Sequence, residues 1–600
     1  MSTKFGSRPW LAVAAVLGIA LSIPTANQFV AAPQAPAPKL QGKSAVASTA
    51  LPARVDSAAG DSRHRYIVQA QSAEVARAAV SRAGGVVTAD LSIIRAVGAA
   101  LDSREIDALR AQQPPQLQIY DDSAVVASSV GAAPQTYYPS ELDAANLHIG
   151  GMTGRGVTVA VLDSGLWNQQ GPNHSAPGET NSRVIAQYDV ITARQSPGYY
   201  KAPLLETYSR SISDPFGHGT HVTSIIASSA TDSTGKYQGV APGVNLVSVR
   251  ALDANGQGLY SDVIGGLQWI IAQKLRYNIR VLNLSLGAPP SGPYWTDPLN
   301  QAVMAAWASG IVVVTAAGNR GPDPLSINAP GNVPYVITVG AVTDNWLPMQ
   351  PKQYKLASFS SAGPTLEGFV KPDVLGMGGH ITAYAPNNGT LANEFPSWMT
   401  EPASDMTMSG TSQAAATVSG VVALMLQVNP SLTPDQVKCH LMSGAHPAVD
   451  GHGNLAYTVF QQGAGLVDAH DAAYSTASNC ANQGINVLLD LVGLQHYGGR
   501  ANENKNGDFY IMQVASSTPQ PLRGLLSSIG SLASKIPVVN TLLADVPLLG
   551  DGLLWNGKYS TSSSGYLWSS GYLWSSGTYT FGEGYLWSSG YTGTDVPAPE

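Results

Sequence analysis

Charge is scarce in this chain of 600 residues: Asp, Glu, Lys and Arg make up 12% of it, about half the usual ~25% of soluble proteins. Lys and Arg number 32 against 39 Asp and Glu, a net charge of −7, and no basic run occurs. The chain lacks the phosphate-neutralising patch of a nucleic-acid binder, so no nucleic-acid partner is expected. Cysteine is nearly missing. Cys439 and Cys480 are too few for a disulfide framework or a cysteine-based zinc site, although in an oxidising compartment they have each other to pair with. Beyond the first segment no run of 18 uninterrupted apolar residues exists, which leaves no expected membrane span. What is plentiful is 44% apolar residues, 62 Gly and 40 Pro. General disorder needs the reverse of this composition, and the length suits roughly two to four domains.

Residues 1–9 carry Lys4 and Arg8, residues 10–23 are almost wholly apolar, and small residues follow. This order reads as a secretory signal peptide over 1–32, with an uncleaved anchor as the alternative, and implies a secreted, extracellular protein. Residues 33–62, rich in Ala, Pro and Ser, read as a linker. From 63 to 128 the pattern is strand (66–68), helix (73–83), two strands (86–87 and 91–97), a helix opened by Ser103 (103–111) and a last strand (117–126). That is a small α+β, ferredoxin-like split βαβ domain. A break over 129–139 separates it from a larger region, 140–473. There, strand-like runs at 157–162, 246–249, 281–284, 311–315 and 336–339 are interleaved with helices at 261–274 and 298–308. Such alternation predicts an α/β fold of three layers with a mostly parallel central sheet. Residues 474–555 form an extension without clean periodicity. The tail, 556–600, repeats Gly-Tyr-Leu-Trp-Ser-Ser from Gly565, Gly571 and Gly584; its aromatics suit stacking on sugars or a partner, or form a loosely ordered tail.

Three segments of the large region carry chemistry. The first is an apolar strand ending in Asp163-Ser164-Gly165, at the carboxyl end of a strand where α/β sheets build sites; alone, Asp163 reads as a turn or cap residue. The second is Asp214-Pro-Phe-Gly-His218-Gly-Thr-His221. An imidazole titrates near working pH and suits general base catalysis. A metal-binding pair is the rival reading, but the zinc pattern needs two His four apart with a Glu between. The third is Gly410-Thr411-Ser412 at the entry to an apolar helix, whose free N–H groups suit an oxyanion beside the Ser; the plain reading is that Thr411 or Ser412 is an N-cap. The chain order Asp, His, Ser differs from that of the other two common serine-hydrolase architectures, and no G-x-S-x-G surrounds Ser412.

Together these segments resemble the subtilisin-like serine proteases (subtilases) over about residues 140–473. The resemblance implies that Asp163 orients the imidazole, that His218 is the base and then the acid, and that Ser412 is the nucleophile. It implies that Asn319, in Ala316-Ala317-Gly318-Asn319, donates to the oxyanion together with the Ser412 N–H. It assigns Ser285, Leu286 and Gly287 to one wall of the substrate groove, Gly258 and Tyr260 to the other, and Ala317 and Gly318 to its lining. It also implies that the 63–128 domain is a propeptide, folding template and temporary intramolecular inhibitor, self-cleaved between 124 and 138. The expected enzyme is a secreted, self-processing serine endopeptidase acting on proteins or peptides, with a lean towards bulky apolar side chains. The alternative is an inactive subtilase or a surface protein that binds through its aromatic tail. No cofactor is required for this chemistry; relatives often hold structural calcium, but no acidic loop here has a recognisable ligand pattern. Two departures flank the site: Gln413 and Ala416 replace the usual Met and Pro after the nucleophile, and Leu375-Gly376-Met377 replaces Ala-Pro-Gly after Lys371-Pro372-Asp373-Val374. The stretches 168–213 and 343–407 are long, and could rim the groove.

Overall fold

The computed structural model describes residues 63–112, 114, 116–127, 130–131, 137–167, 182–194, 214–290, 292–400, 405–449, 455–503, 509–511 and 553–554. The expected signal peptide, linker and repeat tail lie outside the described residues, as does most of 504–555.

The first described region runs β1 (His64–Gln69), α1 (Ala73–Ala83), β2 (Val86–Leu91), β3 (Ala96–Leu101), α2 (Ser103–Ala111) and β4 (Gln118–Asp121). Its strands lie antiparallel in the order β2-β3-β1-β4, around a core of Val68, Val80, Val97, Leu101 and Leu109. The β-α-β-β-α-β order is the one read from the pattern, with three local differences. The strand expected at 91–97 begins at Ala96, because Ser92–Ile94 coils into a 3-10 turn closed by a left-handed Arg95. The second helix opens on Asp102, not Ser103: the Asp102 carboxylate accepts from Glu105 N, and Glu105 reaches back to Asp102 N, a reciprocal cap. The strand expected at 117–126 breaks after Asp121, and its second half, β5 (Ala124–Ala127), leaves this sheet for another. A two-residue strand, β6 (Val130–Gly131), follows.

The chain then adds β7 (Thr158–Asp163), β8 (Val184–Asp189), β9 (Asn245–Arg250), β10 (Gln257–Leu259), β11 (Ile279–Leu284), β12 (Leu286–Gly287), β13 (Val312–Ala316), β14 (Ile337–Thr343), β15 (Lys355–Leu356) and β16 (Val374–Met377). Seven strands of the central sheet run β16-β14-β13-β11-β7-β9-β8, every neighbouring pair parallel; Leu466–Val467 extends it beyond β16 in parallel, and Ala445–His446 and β15 add antiparallel at their sides. Its strands read as near-continuous Val, Ile and Leu because both faces are covered. Helices Tyr260–Tyr277 and Pro298–Ala308 pack together, as do His218–Ala227 and Thr411–Val428, giving the expected three-layer α/β fold. Thr411–Val428 is long and apolar enough to cross a membrane, but it is a core helix, buried from Thr411 to Leu426.

Packing does not stop at the expected boundary of 473. Cys439 and Cys480 are joined, with Cα atoms 5.1 Å apart. Asp490 Oδ2 accepts from the buried Tyr335 (2.9 Å) and Tyr294 (2.5 Å) hydroxyls. Gly499 N and Ala501 N donate to Glu367 O and Gly368 O, tying residues up to 502 onto the same body.

Candidate active site

β7 ends on Asp163, whose Oδ1 accepts from Ser164 N at 2.7 Å and from His218 Nδ1 at 2.8 Å. His218 is the first residue of its helix, and Gly217, at φ 106°, turns the chain into it. Gly219 has to be glycine: a Cβ there would lie 2.4 Å from Gly165 O. Asp214 fastens the junction. Its Oδ1 accepts from Ser164 Oγ and Gly217 N, and its Oδ2 from Thr220 N and Oγ1, all at 2.7–2.8 Å; Ser164 Oγ in turn accepts from Gly219 N. The imidazole is thus oriented through Nδ1, and its Nε2 is buried without a protein partner.

Ser412 is the second residue of helix Thr411–Val428, after Gly410, and no side chain caps that end; the plain N-cap reading does not hold. Ser412 Oγ donates to Ser285 O at 3.0 Å, and Ser285 Oγ donates to Ser412 O at 2.8 Å. The Asp163–His218 leg of the expected triad is therefore bonded, whereas the Ser412 hydroxyl rests on Ser285. Asn319 Oδ1 accepts from Thr411 N and Thr411 Oγ1 at 2.9 and 2.8 Å. With its oxygen fixed this way, Asn319 keeps a buried, unpartnered Nδ2 donor. Ala317 N and O pair with Val339 O and Asn328 N, and Gly318 N and O with Thr411 Oγ1 and Ser361 N, which fixes the backbone leading into Asn319.

β5 lies antiparallel between β10 and β12, with Gly258 opposite Val125, Gln257 opposite Val126, Leu286 opposite Ala127 and Gly287 opposite Val126. Tyr260 N donates to Ser123 O, and Asp122 accepts from Ser261 N and Oγ at the start of the following helix. The chain's own segment therefore fills a cleft walled by Leu286 and Gly287 on one side and Gly258 and Tyr260 on the other, with Ser285 next in line. β6 pairs with strand Asp405–Ser409, Val130 opposite Ser409, one residue before Gly410.

His221, the rival metal ligand, donates Nε2–H to Met406 O at 3.0 Å; burial pushes its pKa down to about 3 and keeps it neutral. A grouping of His446, Asp468 and Asp471 brings ligand atoms within 4.8 Å of one another, but Asp468 caps its own helix by accepting from Asp471 N. The sequence reading missed Asp214, Thr411 and Asn283 (below). Only Asp214 had a signal: an acid just ahead of a Gly-His helix start.

Residues 154–467 match the subtilase family. The chain is 37% identical over 330 residues to serine protease AprX of Bacillus subtilis, spanning 54% of this chain and 67% of that protein. It is 31% identical over 411 residues to subtilisin E of the same organism, spanning 68% and 88%, and 34% identical over 387 residues to the extracellular serine proteinase of a Thermus species, spanning 64% and 78%. Among solved structures it resembles fervidolysin from Fervidobacterium pennivorans, a keratinolytic enzyme related to subtilisin. There the TM-score is 0.55 and the identity 21%, over 75% of this chain and 67% of that one.

Proposed function

We propose, for a chain that belongs to the subtilase family and is a serine endopeptidase, that hydrolysis runs through Asp163, His218 and Ser412 and is switched on by self-cleavage outside the cell. Ser412 attacks the peptide carbonyl, His218 Nε2 takes its proton and returns it to the leaving amine, and Asp163 stabilises the imidazolium. The Asn319 Nδ2–H and the Ser412 N–H hold the oxyanion. The observation that carries this reading is the 2.8 Å Asp163–His218 bond, which leaves Nε2 unpartnered; the antiparallel seat between β10 and β12 suits an extended peptide. Substrate adds as a strand, so its backbone supplies most of the affinity.

The region 63–127 acts as the inhibitor, with β5 in the substrate's place. β5 ends with Ala127 opposite Leu286, and the next residue of that wall, Ser285, holds Ser412 Oγ on its carbonyl. The cut is therefore assigned to the 128–129 bond, and no metal or cofactor is assigned a step. Extracellular action rests on the signal-like first segment and on relatives such as the extracellular proteinase from Thermus. Mass spectrometry of the secreted wild type and Ser412→Ala tests the whole reading. Wild type is expected to begin at Ser129, and the variant to remain joined through 128–129. Identical processing of a pure variant overturns cleavage in cis, and a wild-type rate undiminished at about pH 4 overturns His218 as the base.

A further inference from the structure

Asn283 is the penultimate residue of β11, a strand inside the sheet, opposite Val161 of β7 and Val314 of β13. A carboxamide among Val and Leu is costly wherever one of its polar groups is left unpaired. None is left unpaired, and the bonds run in one direction. Ser419 Oγ donates to Asn283 Oδ1 at 2.9 Å, Asn283 Nδ2 donates to Ser285 Oγ at 2.9 Å, and Ser285 Oγ donates to Ser412 O at 2.8 Å. All four residues are completely buried, so water cannot replace any link.

We propose that Asn283 is a positioning residue for Ser412, acting through Ser285; the proposal rests on Ser412 being the nucleophile. A hydroxyl has a single proton. Ser285 gives its own to the Ser412 carbonyl, and the Asn283 amide, donating into the Ser285 lone pair, keeps that proton pointed there. Ser285 also accepts the Ser412 hydroxyl on its backbone carbonyl, so one residue grips the nucleophile at both ends. Through this relay the strand, and not the helix alone, sets where the Ser412 oxygen lies relative to His218.

The test uses Asn283→Asp, which keeps the volume and replaces the donor by an acceptor, and Ser419→Ala at the far end of the relay, which disturbs packing least. For Asn283→Asp, kcat on a peptide amide is expected to fall roughly 10- to 100-fold with KM within about twofold, the signature of misplacement rather than lost binding. The loss should shrink as pH falls, because the neutral acid donates again. Ser419→Ala is expected to lose several-fold in kcat at unchanged KM, with a thermal midpoint near wild type. Wild-type kcat in both variants, or a loss shared by kcat and KM with no pH dependence, overturns the relay. Failure of the nucleophile reading has its own signature: a wild type that a fluorophosphonate does not label at Ser412, which overturns both.

Discussion

Asp214 satisfies four donors with one carboxylate, three in the turn and first helical residues around His218 and the fourth the Ser164 hydroxyl beside Asp163. Truncating it strands buried N–H and O–H groups, each worth about 1–3 kcal/mol. Asp214→Ala in a Ser412→Ala background, where self-digestion cannot interfere, should therefore lose about 3–5 kcal/mol in denaturant unfolding. An unchanged midpoint would show that water replaces the carboxylate. Asn319→Ala should lower kcat roughly 10²- to 10³-fold with KM nearly constant, a magnitude carried over from subtilisin itself; a loss confined to KM would place Asn319 in ground-state binding instead. Asp163, His218 and Ser412 were legible in the sequence because each sits in a short Gly-containing motif, and at Gly219 the structure gives the reason, a close approach to Gly165 O. Asp214 was less so, since a loop Asp ahead of a helix looks alike whether it caps or catalyses. Asn283 was illegible: a lone Asn in an apolar strand acquires meaning only when Ser419, 136 residues away in sequence, arrives beside it and Ser285, two residues on, accepts its amide.

Elements with strong periods could be read from the sequence, whereas β8, β16 and the segment following Cys480 could not. The stretch 486–502 has no apolar repeat; it is held by single long-range contacts, such as Asp490 on Tyr294 and Tyr335 and Gly499 N on Glu367 O. Glu367 underlies this strap. Its Oε1 accepts from Tyr294 N, its Oε2 is buried without a partner, and burial raises its pKa from an ordinary 4.5 to about 7. A carboxyl that binds its proton more tightly when folded stabilises fully below its unfolded value, and that contribution is lost as pH rises through the folded one. Here the window runs from 4.5 to about 7. Glu367→Gln keeps the acceptor for Tyr294 N and removes the charge. Relative to Glu367 in the Ser412→Ala background, it should gain about 1–3 kcal/mol between pH ~5 and ~8. Other buried acids titrate in both proteins and cancel in the difference; a difference flat with pH would contradict a buried, unpaired carboxylate at this place.

At the scale of the whole molecule, both sheets were foreseeable, because alternating strand and helix patterns leave few topologies. The path between them was not: the segment 117–126 reads as one strand, and only the structure divides it between two sheets. That division bears on how the cut is chosen. Asp122 on Ser261 and Ser123 on Tyr260 N anchor the chain at the start of a helix, and β5 then runs in fixed register along β10 and β12. On the proposed self-cleavage, the bond that reaches Ser412 would be set by its distance from the anchor, not by the residues at the cut. Inserting one glycine between Ala127 and Ser128 separates the two possibilities. If the anchor counts residues, the cut falls after the inserted glycine and the mature chain begins at Ser128, one residue longer than before. If the enzyme recognises the Ser-Ser sequence, the mature terminus remains Ser129. Backbone pairing in a sheet is indifferent to side-chain identity but intolerant of a one-residue slip, so the first outcome is expected, and the mass of the processed chain decides between them.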